Sequence, residues 1–194
     1  MHDAGWMLKM LMHWQSEGYR VGVGGTMLGS NFNTNSHPFL AGTPYFFAYI
    51  GVASALVFAN LGASYGTAKS AVGISSLSVI DKSKIFQSLV PIIMAGILGI
   101  YGVIIAVIAN QQVKGLGPGT DITTMELTGY KVLGAGLACG LSSLAAGLAI
   151  GVAGDAGVRA FAQSDDIFVG MILILIFAEA IGLYGLIVAI IMLF

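Results

Sequence analysis

Apolar residues are not scattered along this chain; they come in four long runs separated by short polar stretches. The last run, Phe168 to Phe194, is the plainest, with roughly 27 residues and one ionisable carboxyl, Glu179, near its middle. About 20 apolar residues suffice to cross the hydrocarbon core of a bilayer. The first run opens at Thr43-Pro44, where Thr suits a helix cap and Pro the first turn. It carries Tyr45, Phe46, Phe47 and Tyr49 as an aromatic collar and continues through Gly51, Ala55, Ala59, Gly62 and Gly66 to about Lys69. A polar connection, Lys69 to Lys84, leads to a second run from about Ile85 to Asn110, which Pro91 should kink. Gln111 to Thr124 reads as a loop. Thr123-x-x-Glu126 is a capping-box pattern that opens a third run, from about Leu127 to Asp155, with Gly134, Gly136, Gly140, Gly147 and Gly151. Asp155 and Arg159 are spaced to pair at its end, and Ser164-Asp165-Asp166 provides a cap for the fourth. The pattern predicts an all-α membrane protein with four transmembrane helices.

The second half repeats the first. Ile100-Tyr101-Gly102 matches Leu183-Tyr184-Gly185 at an offset of about 83 residues, and Gly62-x-x-x-Gly66 matches Gly147-x-x-x-Gly151. The chain therefore reads as two helical hairpins in tandem, 41–110 and 125–194, joined by the loop 111–124. In the register that aligns the Tyr-Gly pairs, Glu179 falls opposite Gly96, so one hairpin carries a carboxyl and the other lacks it.

Composition sharpens this reading. Of 194 residues 57% are hydrophobic and only 9% charged, against about 25% charged in soluble domains. So little polar mass leaves no room for a nucleotide-binding domain, and the run Gly115 to Thr120 lacks the Lys-Ser/Thr of a phosphate loop. One cysteine, Cys139, provides neither a disulfide framework nor a metal cluster. No cofactor, no metal site and no nucleic-acid partner is expected. Gly is abundant, at 28 residues, and on apolar helices it argues for very close helix packing.

Residues 1–40 differ from the rest. Trp6, Met7, Met10, Leu11 and Trp14 share one side of a short helix pattern, with Lys9, His13 and Ser16 on the other. The stretch is too short to span and has no small-residue cleavage site. Either an interfacial helix or a flexible extension fits, and the extension with its Gly/Asn/Ser-rich linker is preferred. Lys69, Lys82, Lys84 and Arg159 cluster at one end of the spans, against Lys114 and Lys131 at the other. That bias places the first end in the cytoplasm and both termini outside or in a lumen.

Glu179 is the candidate chemistry. A carboxylate at the bilayer midplane costs on the order of 3 kcal/mol on insertion scales, so the neutral acid is the cheaper form in lipid. The plain alternative is a side chain that only joins helices, a role Gln or Ser fills at lower cost. An intramembrane acid is therefore read as a proton site.

These stretches resemble the proteolipid (c) subunits of vacuolar-type proton-pumping ATPases. The residues that carry the likeness are Leu61-Gly-Ala-Ser-Tyr-Gly-Thr-Ala-Lys-Ser70, Val90-Pro-Ile-Ile-Met-Ala-Gly96, Ile100-Tyr-Gly102, Gly151-Val-Ala-Gly-Asp-Ala-Gly-Val-Arg159 and Phe168 through Glu179 to Gly185. The likeness covers about residues 44–194. It implies a ring of homologous proteolipid subunits in the membrane sector of a rotary ATPase, a non-catalytic transport subunit in a vacuolar or other acidic-organelle membrane. Partners implied are the lipid bilayer, central-stalk subunits and a stator (a) subunit supplying an Arg. Glu179 corresponds to the proton-binding acid and Tyr101 to a tyrosine that approaches it, the alternative for Tyr101 being a packing residue. Gly62, Gly66, Gly147 and Gly151 fall on the helices of the inner circle and are expected to pack the ring. Sodium-carrying relatives place Thr-Gln where this chain has Ile97-Leu98, which argues for the proton. The acid lies in the second hairpin, which indicates a c or c′ type rather than c″. Two other roles on the same fold are a non-rotary pore and a fusion or assembly scaffold in which Glu179 is only structural. Carbodiimide reactivity coupled to ATP-driven acidification separates both from a rotor subunit.

Overall fold

The computed structural model describes residues 38–116 and 120–194, with side chains from Thr43 onward. The expectations for the N-terminal extension lie outside the described residues. Four long helices carry the fold: α1 (Pro38–Ile80), α2 (Val90–Lys114), α3 (Ile122–Phe161) and α4 (Ile167–Leu193). Each is long and apolar enough to cross a membrane. The described residues contain no strand. At 1.5 Å per residue α1 and α3 exceed a hydrocarbon core of about 30 Å by roughly half their length, so their polar ends project beyond it.

Helix ends differ from the sequence reading in several places. α1 does not stop near Lys69 but runs on to Ile80. The serines that suggested a connection satisfy themselves inside the helix: Ser75 Oγ donates to the Ala71 carbonyl, Ser76 to Gly73 and Ser78 to Ser75. Leu77, on the same stretch, is fully buried and anchors it. The two prolines exchange their expected roles. Pro44 lies inside α1 rather than in its first turn, whereas Pro91 sits in the first turn of α2 and kinks nothing. Two short 3-10 turns, Lys82–Lys84 and Gln87–Leu89, precede α2. Thr123 lies within α3, whose N-terminal residue Asp121 makes no side-chain cap, so the capping box is not formed. Asp166 likewise caps α4 with no side-chain hydrogen bond.

Packing follows the small residues. α1 and α3 run side by side in the most extensive contact of the molecule, with α2 laid on α1 and α4 on α3. Gly62 and Gly147 bring main chain against main chain. A Cβ at Gly62 would lie 2.5 Å from the Ser143 carbonyl oxygen and 2.7 Å from the Leu144 Cα. A Cβ at Gly147 would collide with the backbone of Gly62. Gly66 and Gly151 continue this seam one turn further, and Gly51 and Gly136 extend it toward the other end. Hydrocarbon fills the rest in two clusters, one around Leu77, Leu98, Ile150 and Leu175, the other around Ile105, Val113, Val132 and Cys139.

Candidate proton site

Tyr101 stands where the two clusters meet and packs against both. Two glycines on α2 set its direction. Gly102 lets α2 settle on α1, since a Cβ there would lie 2.5 Å from the Ala59 Cβ. A Cβ at Gly99 would lie 2.9 Å from Asn60 Oδ1 of α1. With that face committed to α1, Leu98 and Tyr101 are turned toward α4. On α4 Gly182 accepts them: a Cβ there would lie 2.6 Å from Leu98 Cδ2 and 3.8 Å from the Tyr101 ring. One turn before Gly182 is Glu179, half-buried. The Tyr101 hydroxyl donates a hydrogen bond to Glu179 Oε1 at 2.9 Å.

The arrangement is chemically simple. A phenol donor on one carboxyl oxygen leaves the other free to carry a proton, and both groups lie about midway along membrane-length helices. Within the described residues no cation is paired with Glu179. Leu98, on the same face of α2 as Tyr101, is fully buried hydrocarbon and has no side-chain oxygen to offer an ion.

Charged groups gather instead at the end where α1 meets α2 and α3 meets α4. Asp155 pairs with Arg159 at 2.7 Å, as the spacing predicted, and also with Lys69 of α1 at 3.2 Å. Lys84 binds Asp165 at 2.5 Å, lies 3.8 Å from Asp81, and stacks 5.1 Å from the Phe161 ring centroid. The hydrogen bond to Asp165 holds the Lys84 ammonium protonated above the usual lysine range. Hydrogen bonds from the Ser83 hydroxyl and amide hold Asp81 below the usual carboxylate range. These contacts between hairpins were not foreseen, because nothing in the local spacing of Lys69 or Lys84 signals a partner some 80 residues away.

Of the residues singled out from sequence, Tyr101 and Glu179 are brought together. Gly62, Gly66, Gly147 and Gly151 are also brought together, in the seam inside one chain. Gly182 and Gly99, which set the approach of α2, α4 and α1 around the acid, were missed. The same Tyr-Gly repeat that aligned the halves was the signal for them: Gly99 is to Tyr101 as Gly182 is to Tyr184.

Four membrane-length helices in duplicated hairpins, with one carboxyl at mid-height among the described residues, define a proteolipid of the duplicated-hairpin class. The sequence model of the ATP synthase C subunit family matches twice, at residues 50–109 and 133–192, once per hairpin. A V-type proton ATPase 16 kDa proteolipid subunit of Chrysotila carterae is 59% identical over 150 residues, covering 77% of this chain and 91% of the relative. A c-type 16 kDa proteolipid of the V-type proton ATPase in Caenorhabditis elegans is 54% identical over 147 residues, covering 76% and 89%. The c-type 16 kDa proteolipid of the Homo sapiens V-type proton ATPase is 53% identical over 147 residues, covering 76% and 90%. The chain belongs to the ATP synthase C subunit family, among the V-type proton ATPase proteolipid subunits, and is an integral membrane protein.

Proposed function

We propose that this chain is a proton-carrying subunit of the rotor ring of a vacuolar-type ATPase, and that Glu179 is the carrier. The observation that supports it is the hydrogen bond from Tyr101 to Glu179 at mid-height, where no cation among the described residues is paired with the carboxyl. Away from the stator the acid is neutral, because the charged form pays the full cost of leaving water. Tyr101 fixes the orientation of the carboxyl while it crosses lipid. At the stator (a) subunit an Arg favours the ionised form, the proton leaves, and another enters from the opposite side. Hydrolysis of ATP in the soluble sector, passed through central-stalk subunits, turns the ring. The chain itself catalyses no bond-breaking step. One carboxyl per two hairpins moves fewer protons per turn than one per hairpin, which favours a steep gradient and suits acidification of a vacuole or related organelle. Both termini then face the lumen, since the Lys/Arg-rich loops stay in the cytoplasm.

The test is a hydrophobic carbodiimide, which partitions into lipid and attacks only the protonated acid. Adduct mapping by mass spectrometry should find Glu179 modified, with Asp155, Asp165 and Asp166 spared. ATP-driven pumping should stop after only a few subunits per ring are modified. Even labelling of all acids, or a fully labelled Glu179 with pumping intact, removes the reading.

A further inference from the structure

Five serines lie from Ser75 to Ser88, and one of them is placed differently from the rest. Ser75, Ser76, Ser78 and Ser88 each donate their hydroxyl to a carbonyl three or four residues back along the chain. Ser83 instead sits exposed in the turn between α1 and α2, with Lys82 before it and Lys84 after it. Its hydroxyl donates to Asp81 Oδ1 at 2.7 Å and its amide to the same oxygen at 2.9 Å, which caps the short Lys82–Lys84 turn. Ser83 also lines an open recess of about 390 Å³, whose other walls are Lys84, Gln87, Phe161, Asp165 and Phe168. Lys84 does more in this recess than pair with Asp165 and Asp81. Its ammonium also donates to the carbonyl oxygen of Phe161, the last residue of α3, at 3.5 Å. One side chain of the first hairpin thus holds the end of the second.

We infer that Ser83 is a phosphorylation site for a serine/threonine kinase that reads basic flanks, and that its phosphate draws Lys84 away from Asp165. In that step Ser83 Oγ bonds to the γ-phosphorus of ATP and the bond from that phosphorus to the bridging oxygen breaks. ADP leaves, and the hydroxyl proton goes to the base of the kinase. Lys82 and Lys84 supply the positive flanks that an acidic kinase groove selects. Only single-turn helices hold the segment, so little has to open for it to enter such a groove. The modified side chain carries about −1.5 to −2 charges and three acceptor oxygens. It takes away the hydroxyl that bonds to Asp81 and sets like charge beside that carboxylate, which undoes the cap. It offers Lys84 a stronger partner than one exposed carboxylate, in a recess with room for the group. The tie from Lys84 to the end of α3 is then given up, and the two hairpins are released from each other at this end. The site needs the turn in the cytoplasm, and for that alone it rests on the orientation given under the proposed function.

The test uses the full-length chain in assembled complexes, in sealed vesicles with the cytoplasmic face outward. The catalytic domain of a serine/threonine kinase that prefers basic flanks is added outside with Mg-ATP, and phosphopeptides are mapped by mass spectrometry. Phosphate is expected on Ser83 and on none of Ser75, Ser76, Ser78 and Ser88. Ser83→Ala should remove it and leave ring assembly unchanged. A water-soluble carbodiimide then joins Lys84 to Asp165 as an amide wherever the two are in contact. The yield of that product should fall about fivefold in the phosphorylated chain, while the Lys69–Asp155 product in the same sample stays constant. Labelling that appears only after detergent overturns the site and puts the fault in the orientation. No label on Ser83 even in detergent overturns the site itself. Equal Lys84–Asp165 yields with and without phosphate overturn the release of Lys84. None of these readouts involves Glu179, so a failed proton-carrier assay and a failed phosphorylation site are told apart.

Discussion

The two hairpins share one design and differ at one kind of place. Gly102 on α2 and Gly185 on α4 are equivalent, both buried, and both bring the second helix of a hairpin against the first: Ala55 and Ala59 of α1 for the former, Ala138 and Ser142 of α3 for the latter. Inside each hairpin the packing is conserved by the same small residues. The divergence is on the outer stripe, where one hairpin has Glu179 under a tyrosine and the other has Gly96 under none. The lesson is that the hairpin without the acid keeps the buried glycine, because the glycine sets backbone spacing that both hairpins need.

That contrast breaks most visibly at the seam. Gly147→Leu, or Gly62→Leu, should abolish ring yield on native gels, because the new side chain must enter main-chain atoms. Overpacking costs about 1–3 kcal/mol even where soft side chains give way, and here the obstruction is backbone. Gly96→Ala, a glycine change in open space, should assemble normally. Next in size is Glu179→Gln, which keeps shape and hydrogen bonding but holds no exchangeable acid proton. Rings should form at normal yield while ATP-driven acidification of vesicles falls to background. Smaller again is Tyr101→Phe, which removes one donor worth about 1 kcal/mol, or about fivefold in an equilibrium. It should change the rate of carbodiimide labelling at Glu179 by about that factor, whereas Tyr184→Phe in the otherwise native chain should not. The smallest effect is expected from Asp165→Asn, which removes an exposed partner of the half-buried Lys84. Thermal stability should drop slightly, less so at high salt. The sign with pH follows from the two shifted groups. Lys84 contributes below the usual lysine range, and this is lost as pH rises through its elevated value. Asp81 contributes above the usual carboxylate range, and this is lost as pH falls through its depressed value.

Much of the architecture was legible because hydrocarbon is an exacting solvent. Four apolar runs admit few alternatives once backbone groups must satisfy each other. The Tyr-Gly repeat gave the duplication, and the lone acid in an apolar run stood out at Glu179. Helix ends were less legible. Ser75, Ser76 and Ser78 look like a loop in sequence, but their hydroxyls fold back onto α1 carbonyls and keep the helix going. Pro44 and Pro91 were misplaced for a related reason: each was read from an expected helix start that the structure puts elsewhere, at Pro38 for α1 and at Val90 for α2. The Lys69–Asp155 and Lys84–Asp165 contacts join residues remote in sequence, so only the packed helices reveal them.

The glycine seam between α1 and α3 also has a mechanical meaning. Side chains are the springs of a helical bundle, since they change rotamer and absorb displacement when one helix is pushed against another. At Gly51, Gly62, Gly136 and Gly147 there are none, and peptide backbone bears directly on peptide backbone. A load applied at one end of this pair reaches the other with little given up to deformation. The seam is therefore the stiff shaft of the molecule, while the hydrocarbon outer helices, with their larger and softer contacts, take up whatever strain remains.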